Sequence, residues 1–249
     1  MGVLLNVVLP VFLVAGIAAL LEPRLGIDVQ SISRSSFYLF SPALIFTSLV
    51  TSDVSGAEFG RIGVALVLVT LILWGVGELA ANLLRLEGPT RGGFLITMLL
   101  MNAGNFGLPV TLFAFGAAGL ARASLYLTVS STLTSSVGVY LAARGRTSAR
   151  SALLRVAKVP LVYAGVLGLL FNLLHITLPE PLLRALRLLG EGSVPALLVV
   201  LGMQLSRTFR GQLQLVNLPA LATVTAGRLL LAPALGFVIS GLLGLSGMS

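Results

Sequence analysis

The sequence predicts an all-α, polytopic membrane protein with an inverted-repeat architecture of the kind found in secondary transporters. Three observations predict it: a composition too apolar for a soluble domain, apolar segments of membrane-spanning length, and two halves that resemble each other. The 249 residues are 57% hydrophobic and 10% charged, whereas soluble domains carry about a quarter charged residues. Because so few charges cannot cover a soluble globule of this size, we expect the lipid bilayer to be its surroundings.

Eight segments are long and apolar enough to be transmembrane helices. They cover residues 3–21, 36–52, 60–83, 92–116, 123–143, 159–176, 188–206 and 215–244. The second is short. The last contains Pro219 and Pro233, so we expect a bend or kink within it.

Basic residues are concentrated in every second gap between these segments. The first, third, fifth and seventh gaps carry eleven of them, five in residues 144–158 alone, and the other gaps carry four. Because cytoplasmic loops carry an excess of Lys and Arg, we expect a multi-pass protein of the inner or plasma membrane with its N-terminus outside. This distribution also explains the net charge of +8 without a nucleic-acid partner.

Two short patterns recur in the same order along the chain. The pattern AGxxxLL begins at Ala15 and again at Ala164, and PAL begins at Pro42 and again at Pro195, at offsets of 149 and 153 residues. A repeat of this length holds five helices, an odd number, so its second copy enters the membrane from the opposite side. This inverted plan is shared by many secondary transporters, whose binding sites lie where both halves are interrupted.

The repeat divides the chain into residues 1–145, with five helices, and residues 146–249, with three. At the same offsets, the partner of residues 102–109 would lie at about residues 251–262, past Ser249. We therefore expect either a truncated second copy or a half-site that is supplied from elsewhere.

The stretch NAGNFGLP, residues 102–109, interrupts the fourth segment. Its two asparagines are costly in hydrocarbon unless their amides find partners. Its two glycines loosen a helix, and Pro109 removes a backbone donor and disfavours helix at Leu108. We expect a broken helix near the midplane whose second half offers its N-terminus and the asparagine amides to a small anion. The alternative is a proline kink with asparagines bonded between helices.

This octet resembles the signature of the auxin efflux carrier family, which includes PIN-type exporters and bacterial relatives. Weaker matches elsewhere extend the resemblance over essentially the whole chain; they are FSPAL at 40–44, Pro160, VPAL at 194–197, LGMQL at 201–205 and RLLLAP at 228–233. The resemblance implies a carrier of five plus five inverted helices, broken in the fourth and ninth, that works in elevator fashion. It also implies organic-anion substrates such as carboxylates or auxin-like compounds, and a possible homodimer. The ninth and tenth helices are not among the eight segments.

Further polar residues are candidates for the same site. Ser130, Ser131 and Thr134 on the fifth segment could form a polar wall, or could pack with their hydroxyls bonded to their own helix. Arg228 lies near mid-membrane and could face a substrate carboxylate, pair with Glu78, or extend to an interface. The predicted substrate-binding residues are therefore Asn102, Gly104, Asn105, Gly107, Leu108, Pro109, Ser130, Ser131, Thr134, Pro42 and Arg228.

Other function classes receive less support. The chain has no cysteine and one histidine, and no arrangement of residues suggests a catalytic triad, a phosphate loop, a metal site or a cofactor, so we expect no enzyme. Two alternatives remain open. One is a sodium-coupled carrier like the bile-acid symporters, which sodium-dependent binding would identify. The other is a non-transporting membrane subunit, which flux in liposomes holding only this chain would exclude.

Overall fold

A computed structural model describes residues 4–138, 154, 156–210 and 217–245. Within them every regular element is helical. Five stretches are long and apolar enough to cross a membrane: Leu5–Leu25, Gly56–Leu83, Gly88–Val137, Glu180–Arg210 and Leu218–Leu242. Pro160–Leu173 is a shorter apolar helix. An all-helical protein with several membrane-spanning candidates is therefore confirmed, whereas the count of eight spans stays a prediction.

The described chain contains eleven α-helices. They are α1 (Leu9–Leu25), α2 (Val29–Ser35), α3 (Ser41–Val50), α4 (Gly56–Leu83), α5 (Gly88–Leu99), α6 (Leu108–Leu133), α7 (Pro160–Leu173), α8 (Glu180–Glu191), α9 (Ser193–Arg210), α10 (Leu218–Ala226) and α11 (Ala232–Leu242). A kink at Gly116, with φ 62° and ψ −152°, divides α6 into two parts. The predicted fourth span, which ends at 116, stops at this kink. The basic gap at residues 144–158 lies mostly outside the described residues.

Five π-helical turns interrupt or extend these helices: Leu4–Val8, Ser36–Phe40, Ala103–Gly107, Thr134–Gly138 and Gly227–Leu231. In the described chain, four of the five end two residues before a proline, and those prolines are Pro10, Pro42, Pro109 and Pro233. A proline cannot donate to the carbonyl four residues earlier, and its ring collides with that carbonyl. A wider turn moves the carbonyl away, so the helix continues past the proline.

The last predicted span shows both behaviours of proline. Pro233 follows the π turn at Gly227–Leu231, which is the irregularity expected there. Pro219 instead lies in the first turn of α10, whose preceding Asn217 accepts a hydrogen bond from the Ala220 N–H. The first turn of a helix tolerates proline because its N–H groups have no partner within the helix. Pro219 therefore starts a helix, and the irregularity expected within this span is the π turn before Pro233.

The chain forms two compact units, each assembled from three segments. The first lies within Met1–Ser55, Asn102–Thr128 and Pro160–Gln214, and the second within Gly56–Met101, Val129–Val159 and Leu215–Ser249. In the first unit α1 packs along α9, and α3 packs against α7 and α8. In the second, α4 packs against α5 and α11, and α10 against α5. The division into repeats at residue 145 is a different partition, and each compact unit takes segments from both repeats.

Polar contacts tie together the ends of helices in the first unit. The Glu22 carboxylate, only 6% exposed, accepts from Arg207 Nε at 2.8 Å and also pairs with Arg210. The Asn172 amide donates to the carbonyl of Ser52 at 2.6 Å. The first contact joins the ends of α1 and α9, and the second joins the ends of α3 and α7. Glu22 and Arg207 lie in the first and seventh predicted gaps, and Ser52 and Asn172 lie at the ends of the second and sixth predicted spans.

The second unit has an apolar core, and an ion pair links α4 to α5. Leu73, Phe94, Met98 and other apolar residues of α4, α5 and α10 form the buried cluster. Glu78 of α4 pairs with Arg91 of α5 and accepts from the Trp74 indole at 3.2 Å. Since the two charges neutralise each other, α4 carries its acid within an apolar stretch at reduced cost.

Candidate functional site

The helix break lies at Leu100–Asn102, at the beginning of the octet rather than at its proline. Helix α5 ends at Leu99, and Leu100 has extended torsions of φ −103° and ψ 127°. Asn102, with φ −77° and ψ 67°, is also outside the helical region. The stretch from Gly92 to Ala121 has no charged residue, so this break opens the backbone in an apolar part of the chain.

Asn102 caps the helix that follows the break. Its side-chain oxygen accepts from the Asn105 N–H at 3.1 Å, and its backbone oxygen accepts from the Gly107 N–H at 3.3 Å. An asparagine in this position satisfies donors that the first turn leaves without partners. Because the amide oxygen serves the cap, the NH₂ group of Asn102 remains as a donor.

Pro109 does not unwind the chain before it. Leu108 is helical, with φ −59° and ψ −51°, and its N–H donates to the carbonyl of Ala103 across the π turn. The sequence led us to expect that Pro109 disfavours helix here. The wide turn relieves the collision between the proline ring and the preceding carbonyls, and α6 continues. The side chains of Leu108 and Pro109 are buried, so they pack in the interior rather than facing a ligand.

The first unit surrounds this turn on several sides. The π turn at Ala103–Gly107 packs against α9, and the Phe106 ring meets Phe12 of α1 edge to face at 6.4 Å. Asn102 is exposed and Asn105 is half-buried. A Cβ at Gly104 would lie 4.0 Å from Leu127, which is an ordinary contact. The turn is thus packed by aromatic and aliphatic groups while its two asparagines remain accessible.

The arrangement is able to bind a small anion or another acceptor-rich group. The first N–H groups of a helix point away from it and carry partial positive charge. In the described residues, the side chain of Asn105 has no hydrogen-bond partner, and that of Asn102 has only the cap bond. These donors converge on one helix start, which is the geometry that anion sites use.

The remaining predicted residues are divided between the units. Pro42 lies in the first unit, half-buried in the first turn of α3. Ser130, Ser131 and Thr134 lie in the second unit. The Thr134 hydroxyl donates to the carbonyl of Ser130 at 2.8 Å, which is the bond to its own helix that was the alternative for this group. Ser130 is buried and Ser131 half-buried.

Arg228 also lies in the second unit, within the π turn at Gly227–Leu231. Its Nε donates to the carbonyl of Thr97 at 2.9 Å. Thr97 belongs to the last turn of α5, where carbonyls lack partners within the helix. A cation there is also favoured by the helix dipole. The structure therefore gives Arg228 a helix end as a partner, and Glu78 pairs with Arg91.

Sequence reasoning did not find the cluster at Glu22. The signal available was an acid just after one predicted span and two arginines just after another. Their pairing joins residues 185 and 188 positions apart, and no local pattern indicates it.

The chain matches a family of membrane proteins. A family model described as a membrane transport protein matches residues 3–249. An uncharacterized transporter of Methanothermobacter thermautotrophicus is 31% identical over 231 residues, which cover 89% of this chain and 72% of the relative. An uncharacterized transporter of Methanocaldococcus jannaschii is 29% identical over 226 residues, which cover 85% of this chain and 70% of the relative. Neither name states a substrate.

Proposed function

Because the chain belongs to the membrane transport protein family, the family of the auxin efflux carriers that it resembles, we propose that it is a secondary transporter of small organic anions. The observation that carries the substrate class is the capped helix start at Asn102. It presents N–H and amide donors inside an apolar, uncharged stretch. Carboxylates are the organic groups that such donors bind best.

Packing within the first unit supports an inverted repeat. The repeat relates α1 to α7 and the α3 region to α9, so the contact of α1 with α9 corresponds to the contact of α3 with α7. These are the two most extensive helix contacts in the described chain. The buried hydroxyls of Ser41 and Ser193 lie 3.0 Å apart at a separation of 152 residues. This separation falls between the two repeat offsets, as a pseudo-two-fold axis between the copies requires.

Transport would proceed by alternating access of the elevator type. That mechanism needs two bodies, and the two compact units of the chain are the bodies we assign to it. The contacts of Glu22 with Arg207 and of Asn172 with Ser52 support the alternation of sides along the chain. The excess of basic residues in alternate gaps supports a position in the inner or plasma membrane with the N-terminus outside. A homodimer belongs to the same proposal.

Substitution of the capping asparagine tests the site. Asn102→Ala removes the cap and a donor, and one hydrogen bond to a charged ligand contributes about a tenfold factor in affinity. We expect malonate binding to purified protein, measured by calorimetry, to weaken by about tenfold or more, and Asn105→Ala to act in the same direction. Membrane insertion should be unchanged.

Asn6→Ala is the matched control, because Asn6 also lies in a π turn that precedes a proline. If both Asn102→Ala and Asn105→Ala bind malonate as tightly as the unchanged protein, the binding site is not at the helix break. Uptake of labelled malonate by liposomes that contain only this chain tests transport itself, and its dependence on sodium identifies the coupling ion.

A further inference from the structure

A polar cavity lies in the first unit, away from the octet. Its volume is about 700 Å³, and its wall includes the last turns of α3, the segment of α6 after the Gly116 kink, and the C-terminal half of α8. We call it the α3 cavity. The inference drawn from this cavity is independent of the proposed function, because it uses none of the residues at the helix break.

The α3 side of this cavity consists of hydroxyl groups whose protons are already used. Thr47 donates to the Ala43 carbonyl at 2.8 Å, Thr51 to the Thr47 carbonyl at 2.9 Å, and Ser52 to the Leu49 carbonyl at 2.9 Å. Ser48 donates either to the Ile45 carbonyl or to Ser124. A hydroxyl has one proton and two lone pairs. This wall therefore offers acceptors, which suit a cation or an ammonium group.

Charged groups of both signs complete the lining. Asp53 and Glu191 supply two carboxylates, and Arg122 and Arg187 supply two guanidinium groups. In the part of the chain that the structure describes, no ion pair or hydrogen bond engages the side chains of Asp53, Arg187 or Glu191. All three residues are also exposed, so a ligand is able to reach their side chains.

Helix α8 places its charges in a single stripe. Glu180, Arg184, Arg187 and Glu191 follow spacings of four, three and four residues, which put them on one face of a helix. The first two pair with each other at 2.8 Å, and the last two line the cavity. Arg187 lies just before the predicted span 188–206 and Glu191 lies in its first turn, and both side chains are exposed.

The charged groups of this cavity that have no partner in the described residues determine the class of ligand. Asp53 and Glu191 offer carboxylates and Arg187 offers a guanidinium group, so a ligand with a single charge satisfies only one of the two kinds of group. A molecule that carries both an ammonium group and a carboxylate can satisfy both kinds of group at once. We propose that the α3 cavity binds a small zwitterion, with its ammonium group at the hydroxyl wall and Asp53 and its carboxylate at Arg187.

Three probes with one carbon skeleton test this proposal: β-alanine, propionate and propylammonium. Their binding to the full chain in lipid nanodiscs is measured by calorimetry. We expect β-alanine to bind at least about tenfold more tightly than either singly charged probe, the factor that one hydrogen bond to a charged group contributes. Equal affinity for propionate or for propylammonium, or no β-alanine binding, would overturn the proposal.

Substitutions then locate the probe. Arg187→Gln should weaken β-alanine binding by about tenfold and leave propylammonium unaffected, whereas Asp53→Asn should weaken both ammonium probes by a similar factor. Arg184→Gln, one turn away on α8 and outside the cavity, is the matched control. Thr51→Val removes one acceptor with little change of shape and should weaken β-alanine. Size-exclusion elution checks that each variant is folded, and β-alanine binding unchanged in both Arg187→Gln and Asp53→Asn overturns the assignment.

Discussion

At the scale of single residues, the closest helix contacts depend on glycines without room for a side chain. A Cβ at Gly202 of α9 would overlap the carbonyl oxygen of Ala15 in α1, and one at Gly165 of α7 would overlap Thr128. Small residues allow backbones to approach closely where lipid supplies no hydrophobic drive for association. The neighbouring helix, rather than helix propensity, therefore requires glycine at these positions.

Gly202→Ala tests this view directly. The added methyl group must displace α1 or α9, and overpacking of this kind costs about 1–3 kcal/mol. Gly16→Ala is the control, since a Cβ at Gly16 has nothing within 4 Å. Unfolding in mixed micelles should show a loss of stability for Gly202→Ala and none for Gly16→Ala. Equal stability of the two variants would mean that α1 and α9 are not packed this closely.

At the scale of elements, each side of the helix break has its own cap. Asn102 caps the start of the second helix, and Arg228 bonds to Thr97 in the last turn of the first. A carbonyl that loses its partner at a helix end is costly in an apolar setting. The break persists because side chains replace the bonds that the backbone gives up.

Arg228→Met separates a capping role from direct contact with substrate. If Arg228 caps α5, its loss should speed amide hydrogen exchange in the last turn, Thr97–Leu100, because the helix end frays. Malonate affinity should then change little. Arg91→Met is the control, since Arg91 pairs with Glu78 near the other end of α5. Weakened malonate binding without faster exchange would instead make Arg228 a substrate ligand.

At the scale of the whole molecule, the chain passes through each compact unit three times. The first unit takes helices from both predicted repeats, and Ser41 meets Ser193 within it at 3.0 Å. An elevator requires that contacts inside a moving or fixed body persist throughout the cycle. This contact is therefore expected to hold in every state of the transporter.

A cross-link between these positions tests that persistence. The chain has no cysteine, so Ser41→Cys combined with Ser193→Cys introduces the only thiol pair. We expect rapid oxidation to a disulfide and malonate flux in liposomes that stays within about twofold of the reduced protein, since affinity and stability changes at a preserved contact are small. Flux that stops on oxidation and returns on reduction would show that these helices separate during transport. Each single variant serves as the control.

Sequence reasoning identified the class, the family and the octet that holds the break, because composition and unusual residues are local signals. It misplaced the break within the octet. Leu100 and Met101 are good helix formers, and only the cap made by Asn102 reveals that the helix has ended before them. Pro109 was expected to disrupt the helix, and the π turn before it relieves the strain. That turn depends on hydrogen bonds such as the one from the Leu108 N–H to the Ala103 carbonyl. No single residue in the sequence predicts such a bond.

The partners of charged residues could not be predicted from the sequence, for a different reason. Glu22 meets Arg207 across 185 residues, and Arg228 meets Thr97 across 131 residues. These pairs depend on how helices from distant parts of the chain are arranged. The repeat offset places Glu78 and Arg228 at near-equivalent positions in the two halves, and it gave no indication that Glu78 pairs with Arg91 or that Arg228 bonds to Thr97.

The pairing of Glu22 also has a consequence for biosynthesis. The carboxylate at the end of α1 is synthesised long before Arg207, its partner in α9, because 185 residues separate them. At a translation rate of about 5–20 residues per second, α1 exists for roughly 10–40 s before that arginine leaves the ribosome. During this interval Glu22 must stay hydrated at the membrane surface. We therefore expect the first helix to reach its final position only after α9 has been synthesised.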